Sequence, residues 1–419
     1  MGLRIVFSVM IACCVLSDGF TSKTAWAAET DKPLYALADI LVLAEERSPR
    51  LAGAVGLVRQ SRGQQIAAAA FPNPSISGSA GRGAIRDPST GVRITERTVT
   101  LEQPLEWLGK RQARQEAANA GLAGANAALE ETRLALRADV KVAFYLLLLA
   151  QRDAELAAQN VLAVEDVLRT VKARVAAGDA TSFDTMKATV EVQKAHKEVA
   201  RAHNTLLVAR MRLNTLTAGA LGREFSIHGE FQSPQQGTDL DRLTTNPSDQ
   251  HPSLQRLSKA AEQAEQTVRF ERQARVPDLR VHGTYHREAG DETMAAGLSL
   301  GLPLWYRREG EIEAALGMQY RAEAERRRVQ HELEETITQH AEDVRTAQAQ
   351  LLVFETGLLK QAEQTLAVAH TSFREGAASL LDLLDAQRVH RQTLLEYAQV
   401  RADLSIALAR LERAIGAPL

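Results

Sequence analysis

Gly178-x-x-Thr181-x-x-Asp184-x-x-x-Ala188 and Gly376-x-x-Ser379-x-x-Asp382-x-x-x-Ala386 are one pattern written twice, 198 residues apart. Three further landmarks recur in the same order. Pro49-x-Leu51 matches Pro252-x-Leu254 at an offset of 203. Pro72-Asn73-Pro74-Ser75-Ile76-Ser77-Gly78 matches Pro277-Asp278-Leu279-Arg280-Val281-His282-Gly283 at 205, and Pro104-Leu105 matches Pro303-Leu304 at 199. Four landmarks kept in order mark a duplicated unit, and a duplication on this scale sets the architecture.

The proline map says what each unit is made of. No proline lies between Pro104 and Pro234, or between Pro303 and Pro418. Both stretches are poor in glycine and rich in Ala, Leu, Glu, Gln and Arg, which are strong helix formers. Runs this long suggest coiled-coil helices rather than a compact core. Leu404, Leu408, Leu411 and Ile415 recur at i, i+4, i+7 and i+11, as do Leu136, Val140 and Leu147 with Phe144 between them. This is seam spacing. The apolar run 142–150 is too short for a membrane helix and reads as a buried seam.

Each unit reads helix, strand pair, very long helix, turn, return helix. In the first, residues 35–70 are expected as one helix, 75–80 and 93–103 as strands closed by Pro104, Leu108 to Ala176 as the long helix and 183–216 as the return. In the second, 252–275 are helix, 278–287 and 293–302 strands, 310–374 long helix and 379–415 return. The expected divisions are a signal peptide 1–27, a first repeat 28–217 (strand pair about 74–103, tip near 178), a joining segment 218–250, and a second repeat 251–419 (strand pair about 278–302, tip near 376).

Strands 278–287 and 293–302 alternate apolar and polar residues over about ten positions, the length of a tilted membrane-spanning strand. Leu279, Val281 and Tyr285 oppose Arg280, His282 and His286, while Met294, Leu298, Leu300 and Leu302 share a face. Four strands cannot close a barrel, and open edges are not tolerated in lipid. A membrane reading therefore requires several chains to share one barrel.

The N-terminus has the form of an export signal, with Arg4, the apolar stretch 5–16 and Ala25-Trp26-Ala27 as cleavage site. Cleavage would remove Cys13 and Cys14, the chain's two cysteines, so disulfides and thiol chemistry are excluded from the mature chain. It would also take away Arg4, Lys23 and Asp18, moving the net charge from −2 to −3. Such a balance gives no basis for nucleic-acid binding. No phosphate loop, nucleophile elbow or metal-protease helix is present, so no enzyme activity, cofactor or resident metal is expected. His282 and His286 fall on the polar strand face and are read as solvated lumen positions.

Together these features resemble the TolC family of outer-membrane efflux channels across the whole mature chain. The resemblance rests on the duplicated plan, the Pro72-Asn73-Pro74 strand entry, Gln103-Pro104-Leu105 followed by Gly109-Lys110, and Ser379-Leu380-Leu381-Asp382-Leu383-Leu384-Asp385-Ala386-Gln387 after a glycine turn. Phe71-Pro72-Asn73-Pro74 and the stretch 303–312 are similar to the CzcC-like subgroup, which serves heavy-metal efflux.

The resemblance implies a mainly α fold with a small transmembrane β part. A homotrimer would share a twelve-strand barrel in outer-membrane lipid, continued into the periplasm by a helical barrel of coiled-coil hairpins. The tips at Gly178, Thr181, Gly376 and Ser379 would meet a periplasmic adaptor and an inner-membrane RND-type pump. Asp382 and Asp385 would form stacked carboxylate rings favouring cations. Asp382 also fits a helix-capping role with Ser379, and both readings stand open here. Asp184 matches a gate-latching position of the family. The usual basic partner's place is taken by Ala378, with Arg374 as a candidate substitute. The competing reading is a periplasmic coiled-coil adaptor or scaffold without a pore.

Overall fold

The computed structural model describes residues 33–232 and 250–418, apart from residues 87, 90, 92 and 289. The expected export segment and residues 233–249 of the joining segment lie outside the described residues. In chain order the elements are β1 (Leu34–Tyr35), α1 (Leu37–Arg47), α2 (Pro49–Ala69), β2 (Ser75–Arg86), β3 (Arg93–Leu105), α3 (Leu108–Ala177) and α4 (Ser182–Leu216). There follow β4 (Ser226–Ile227), α5 (Pro252–Gln273), β5 (Leu279–Glu288), β6 (Asp291–Leu300), α6 (Glu309–Val353), a π-turn (Phe354–Leu358), α7 (Leu359–Arg374) and α8 (Leu380–Ile415).

The long helix is continuous over 70 residues, about 105 Å at ~1.5 Å per residue. Several sequence expectations are corrected. The helix expected over 35–70 is two helices, because Pro49 occupies the first position of α2 and Ser48 is extended at φ −64° and ψ 121°. Proline has no N–H to continue α1 and forces its predecessor out of helical geometry. The strand expected to stop at residue 80 runs on to Arg86, since Gly81 and Arg82 still pair with Glu96 and Thr95. Pro104 lies inside β3 and pairs with Arg280. It is tolerated because β2 pairing ends at Glu102, leaving that side of Pro104 without a ladder to break. The second long helix is interrupted by the π-turn, which turns buried Phe354 onto Tyr397 with ring centroids 6.0 Å apart.

Both repeats meet along α3, which packs on α2, α4, α5 and α8, while α8 also packs on α6 and α7. The expected seams are buried: Leu136, Val140, Phe144 and Leu147 on α3, and Leu404, Leu408 and Leu411 on α8. The segment after α4 is part of the core rather than a passive joint. Leu221, Phe225 and Ile227 are buried with Phe144, and β4 pairs in parallel with β1. A side chain on Gly229 would put its Cβ 3.0 Å from the Phe144 ring. A part-buried ion pair, Lys141 with Glu412, crosses from the first repeat to the second. Among the described residues no helix is long and apolar enough to cross a membrane.

The other four strands form an antiparallel sheet in the order β2-β3-β5-β6, with β3–β5 joining the repeats.

Candidate gate at the hairpin tips and the membrane-facing sheet

The two hairpin tips are built alike. Gly178 and Gly376 end their helices in the left-handed region, at φ 85° and 78°, where a Cβ would be strained. At the first tip the Asp179 N–H donates to Arg174 O (2.8 Å) and the Gly178 N–H to Val175 O (3.1 Å). At the second, Ala377 donates to Ser372 O (2.8 Å) and Gly376 to Phe373 O (3.1 Å). These bonds close the orphan carbonyls of each helix end.

The next helix opens on a reciprocal cap. Thr181 Oγ1 accepts from the Asp184 N–H (3.3 Å), and Asp184 Oδ2 accepts from the Thr181 N–H (3.1 Å). Ser379 and Asp382 repeat this at 3.3 and 3.0 Å. Each hydroxyl also donates to its aspartate, at 2.8 Å from Thr181 and 2.7 Å from Ser379. These hydrogen bonds from Thr181 hold the Asp184 carboxyl below its ordinary range, and those from Ser379 do the same for Asp382. The last member of the pattern, Ala188 or Ala386, is buried. Ala188 packs with Val167, Val171, Phe373, Leu380 and Leu383, so the first tip is sealed against the second. The duplicated pattern is therefore a turn, a cap and a small packing residue.

Asp382 and Asp385 lie on one exposed face of α8, one turn apart, while Leu383 and Ala386 point into the seam. Asp385 forms an ion pair with Arg388. The cationic charges acting on Asp184 are Lys187 and Arg174, both from its own repeat. Arg374 sits in the last turn of α7. Arg174, which sequence reasoning missed, bridges the tips: its Nη1 donates to Phe373 O (3.0 Å) and its guanidinium lies over the Phe373 ring. Its only sequence signal is a basic residue in a helix's last turn.

The sheet register sorts the strand residues into two faces. One carries Ile76, Val99, Leu101, Leu279, Val281, Tyr285, Met294, Leu298 and Leu300. Most of it is exposed, Met294 at 85% and Ile76 at 75%. The other carries Ser77, Thr98, Thr100, Glu102, Arg280, His282, Thr284 and His286. Its side chains pair across strands, with Thr98 Oγ1 to His286 Nδ1 at 3.0 Å and Arg280 to Glu102 at 3.2 Å. Sequence reasoning found this face on β5 and missed its β3 half, where Arg97 and Gln103 blur the alternation. An exposed apolar face beside a polar one, on a sheet whose edges β2 and β6 are open, suits a barrel wall in lipid completed by further copies.

The comparisons with known proteins agree. The family model described as outer membrane efflux protein matches residues 40–219 and 248–417. The cobalt-zinc-cadmium resistance protein CzcC of Cupriavidus metallidurans is 27% identical over 427 residues, covering 99% of this chain and 98% of that protein. Among solved structures, the Campylobacter jejuni outer membrane channel CmeC superposes with a TM-score of 0.78 at 16% identity, covering 97% of this chain and 94% of that one. CusC superposes at 0.77 and 15% identity, covering 91% and 92%. The reading as a scaffold without a pore falls with this match. The chain belongs to the outer membrane efflux protein family and is an efflux channel of the outer membrane that extends into the periplasm.

Proposed function

We propose that this channel is the exit duct of a tripartite heavy-metal efflux system, working as a homotrimer with a periplasmic adaptor and an inner-membrane RND-type pump. The observation that carries the cargo class is the end-to-end likeness to a protein named for cobalt, zinc and cadmium resistance. The open sheet edges β2 and β6 support the oligomer. The chain divides into two repeats, 28–217 and 251–419, joined by 218–250, and the repeats differ in charge at their tips.

The chain works by conduction and gating rather than by bond chemistry. Asp382 and Asp385 stand toward the mouth as stacked carboxylate rings, which favour cations and narrow the passage electrostatically. Asp184 holds the first tip in shape beside them. Capping and ring formation are compatible, because a carboxylate that accepts hydrogen bonds keeps its negative charge. Gly178, Thr181, Gly376 and Ser379 shape the ends that the adaptor meets.

The test is complementation. A host stripped of its own outer-membrane efflux channels receives this chain together with the adaptor and pump of a heavy-metal efflux system. Growth in cobalt, zinc or cadmium should be restored. Restored resistance to organic drugs alone would overturn the metal reading.

A further inference from the structure

The chain has three tryptophans, and Trp26 falls in the expected export segment. The other two, Trp107 and Trp305, stand 198 residues apart, the same offset as the tips. Each lies where a strand gives way to helix: Trp107 just after β3 and Trp305 between β6 and α6. Trp305 is 94% exposed, with Leu302, Leu304 and Tyr306 exposed beside it. Leu302, Leu304, Trp305 and Tyr306 follow Leu298 and Leu300 of the apolar face directly in the chain. Phe71, at the entry to β2, is exposed at the same end of the sheet. Amphipathic rings at this level suit the head-group layer of the periplasmic leaflet.

Charge distinguishes the second-repeat side of this rim. Arg308 caps α6 in the left-handed region at φ 63°, a strained place for a side chain. It is fixed there by two hydrogen bonds to Glu271, at 2.9 and 2.5 Å. Arg275 Nε donates to the Arg307 carbonyl (3.1 Å), which brings Arg275 against the Trp305–Arg307 segment. Both arginines are exposed. Both act on the Glu309 carboxylate, while Glu271 and Glu311 are engaged by Arg308 and the Tyr306 hydroxyl. Guanidinium groups match phosphate oxygens in geometry as well as charge.

We propose that Trp305, Arg307 and Arg275 form a ledge that binds the head group of an anionic phospholipid in the periplasmic leaflet. The apolar ledge follows directly on the lipid-facing strand β6, and its two exposed guanidinium groups match the phosphate oxygens of a head group that carries net negative charge. Each arginine near an anionic surface favours that lipid by about fivefold.

The two tryptophans make the test direct. The full mature chain carrying Trp107→Phe leaves Trp305 as the only indole, and it is reconstituted in phosphatidylcholine vesicles. Acyl-brominated phosphatidylglycerol and acyl-brominated phosphatidylcholine are then compared as quenchers. The expected result is quenching by the glycerol lipid at several-fold lower mole fraction. Adding Arg275→Gln and Arg307→Gln should bring the two lipids to parity, with quenching retained. Equal quenching in the Trp107→Phe parent would overturn the proposal. Absence of quenching by either lipid would also overturn it, by placing Trp305 under a neighbouring copy. Should the glutamine variants fail to assemble, the parent comparison decides alone.

Discussion

Arg174 Nη1 donates to the carbonyl oxygen of Phe373 at 3.0 Å, tying the last turn of the first long helix to the last turn of the second. The donor belongs to one repeat and the acceptor to the other. The bond spends a charge on a carbonyl at a helix C-terminus, where the dipole favours a cation. Phe373 is itself buried, so its carbonyl is a fixed target. This is where a single chain ties its two tips, given that Ala378 has no charge to offer.

Arg174→Ala should therefore loosen the tips. A partly buried, charge-assisted hydrogen bond is worth about 1 to 2 kcal/mol. Two readouts check it: single-channel conductance should rise, and the spin-label distance between the tips should broaden. Arg174→Lys should restore part of both, because an ammonium still reaches the carbonyl but loses the stacking over Phe373. If conductance and distance both stay at wild-type values, the tie does not hold the gate.

The carboxylates separate by pH. Asp382 and Asp184 have folded pKa values below the ordinary 3.8, because Ser379 and Thr181 bond the charged forms. A depressed carboxylate contributes stability that is present above its unfolded pKa. That stability is lost as pH falls through the lower folded value. The caps should thus survive mild acid, and cation preference in planar bilayers should persist down to about pH 4. Crowding of like charges in a ring works the other way and would move that loss to higher pH. The pH at which preference disappears therefore reports which effect wins. Asp382→Ala with Asp385→Ala should raise conductance and weaken the preference at neutral pH. Unchanged selectivity in that variant would remove these residues from the pore.

Lys141 and Glu412 provide a stability test away from the gate. Their side chains are 20% and 9% exposed, and they join α3 to α8. Burial and the Glu412 charge together push the neighbouring Tyr145 hydroxyl up to about 12. Lys141→Met alone removes the ammonium partner of a buried carboxylate and should cost about 3 to 5 kcal/mol. Lys141→Met with Glu412→Met should recover most of that loss, because two apolar side chains need no partner. The measurement is the temperature of heat dissociation. A double variant no better than the single one would show that the pair is worth more than its own burial.

The duplicated pattern made the hairpins legible. Gly178 marks a helix end and Thr181 with Asp184 a helix start, so α3 and α4 were bounded to within a residue. Each signal is local, a left-handed glycine or a cap closing on its own backbone. Features that depend on a distant partner were not legible. Gly81 has loop composition, and only its pairing with Glu96 on β3 makes it strand. The π-turn at Phe354 follows from a ring packed on Tyr397. The Arg174 tie joins residues about 200 positions apart. Asp382 was readable both as a cap and as a pore charge, and a single chain displays the cap, because only the cap closes on its own backbone.

The start of the second repeat adds a pH-dependent element that the first lacks. His251 stands where the first repeat has Ser48, each before a proline that opens a helix. The His251 ring is buried, with Nδ1 accepting from the Ser253 N–H (3.2 Å) and Nε2 donating to the Arg413 carbonyl (3.2 Å). This arrangement needs the neutral ring, because a proton on Nδ1 would face the Ser253 N–H. Burial is the main cause of its lowered pKa, and the Arg413 charge adds to it. The Arg413 carbonyl and Glu131 oppose the shift without reversing it. Glu131 is also engaged by Ser253 Oγ (2.9 Å) and Arg256 (2.6 Å). His340 and Glu332 line the same cleft. A histidine whose folded pKa lies below its unfolded 6.5 stabilises the fold fully above that pH and progressively less below it. Heat-dissociation temperature should thus decline as pH falls below about 6.5. His251→Asn keeps a neutral side-chain acceptor for the Ser253 N–H and should flatten that part of the profile while costing about 1 kcal/mol at neutral pH. Parallel profiles for the two proteins would assign the acid sensitivity elsewhere.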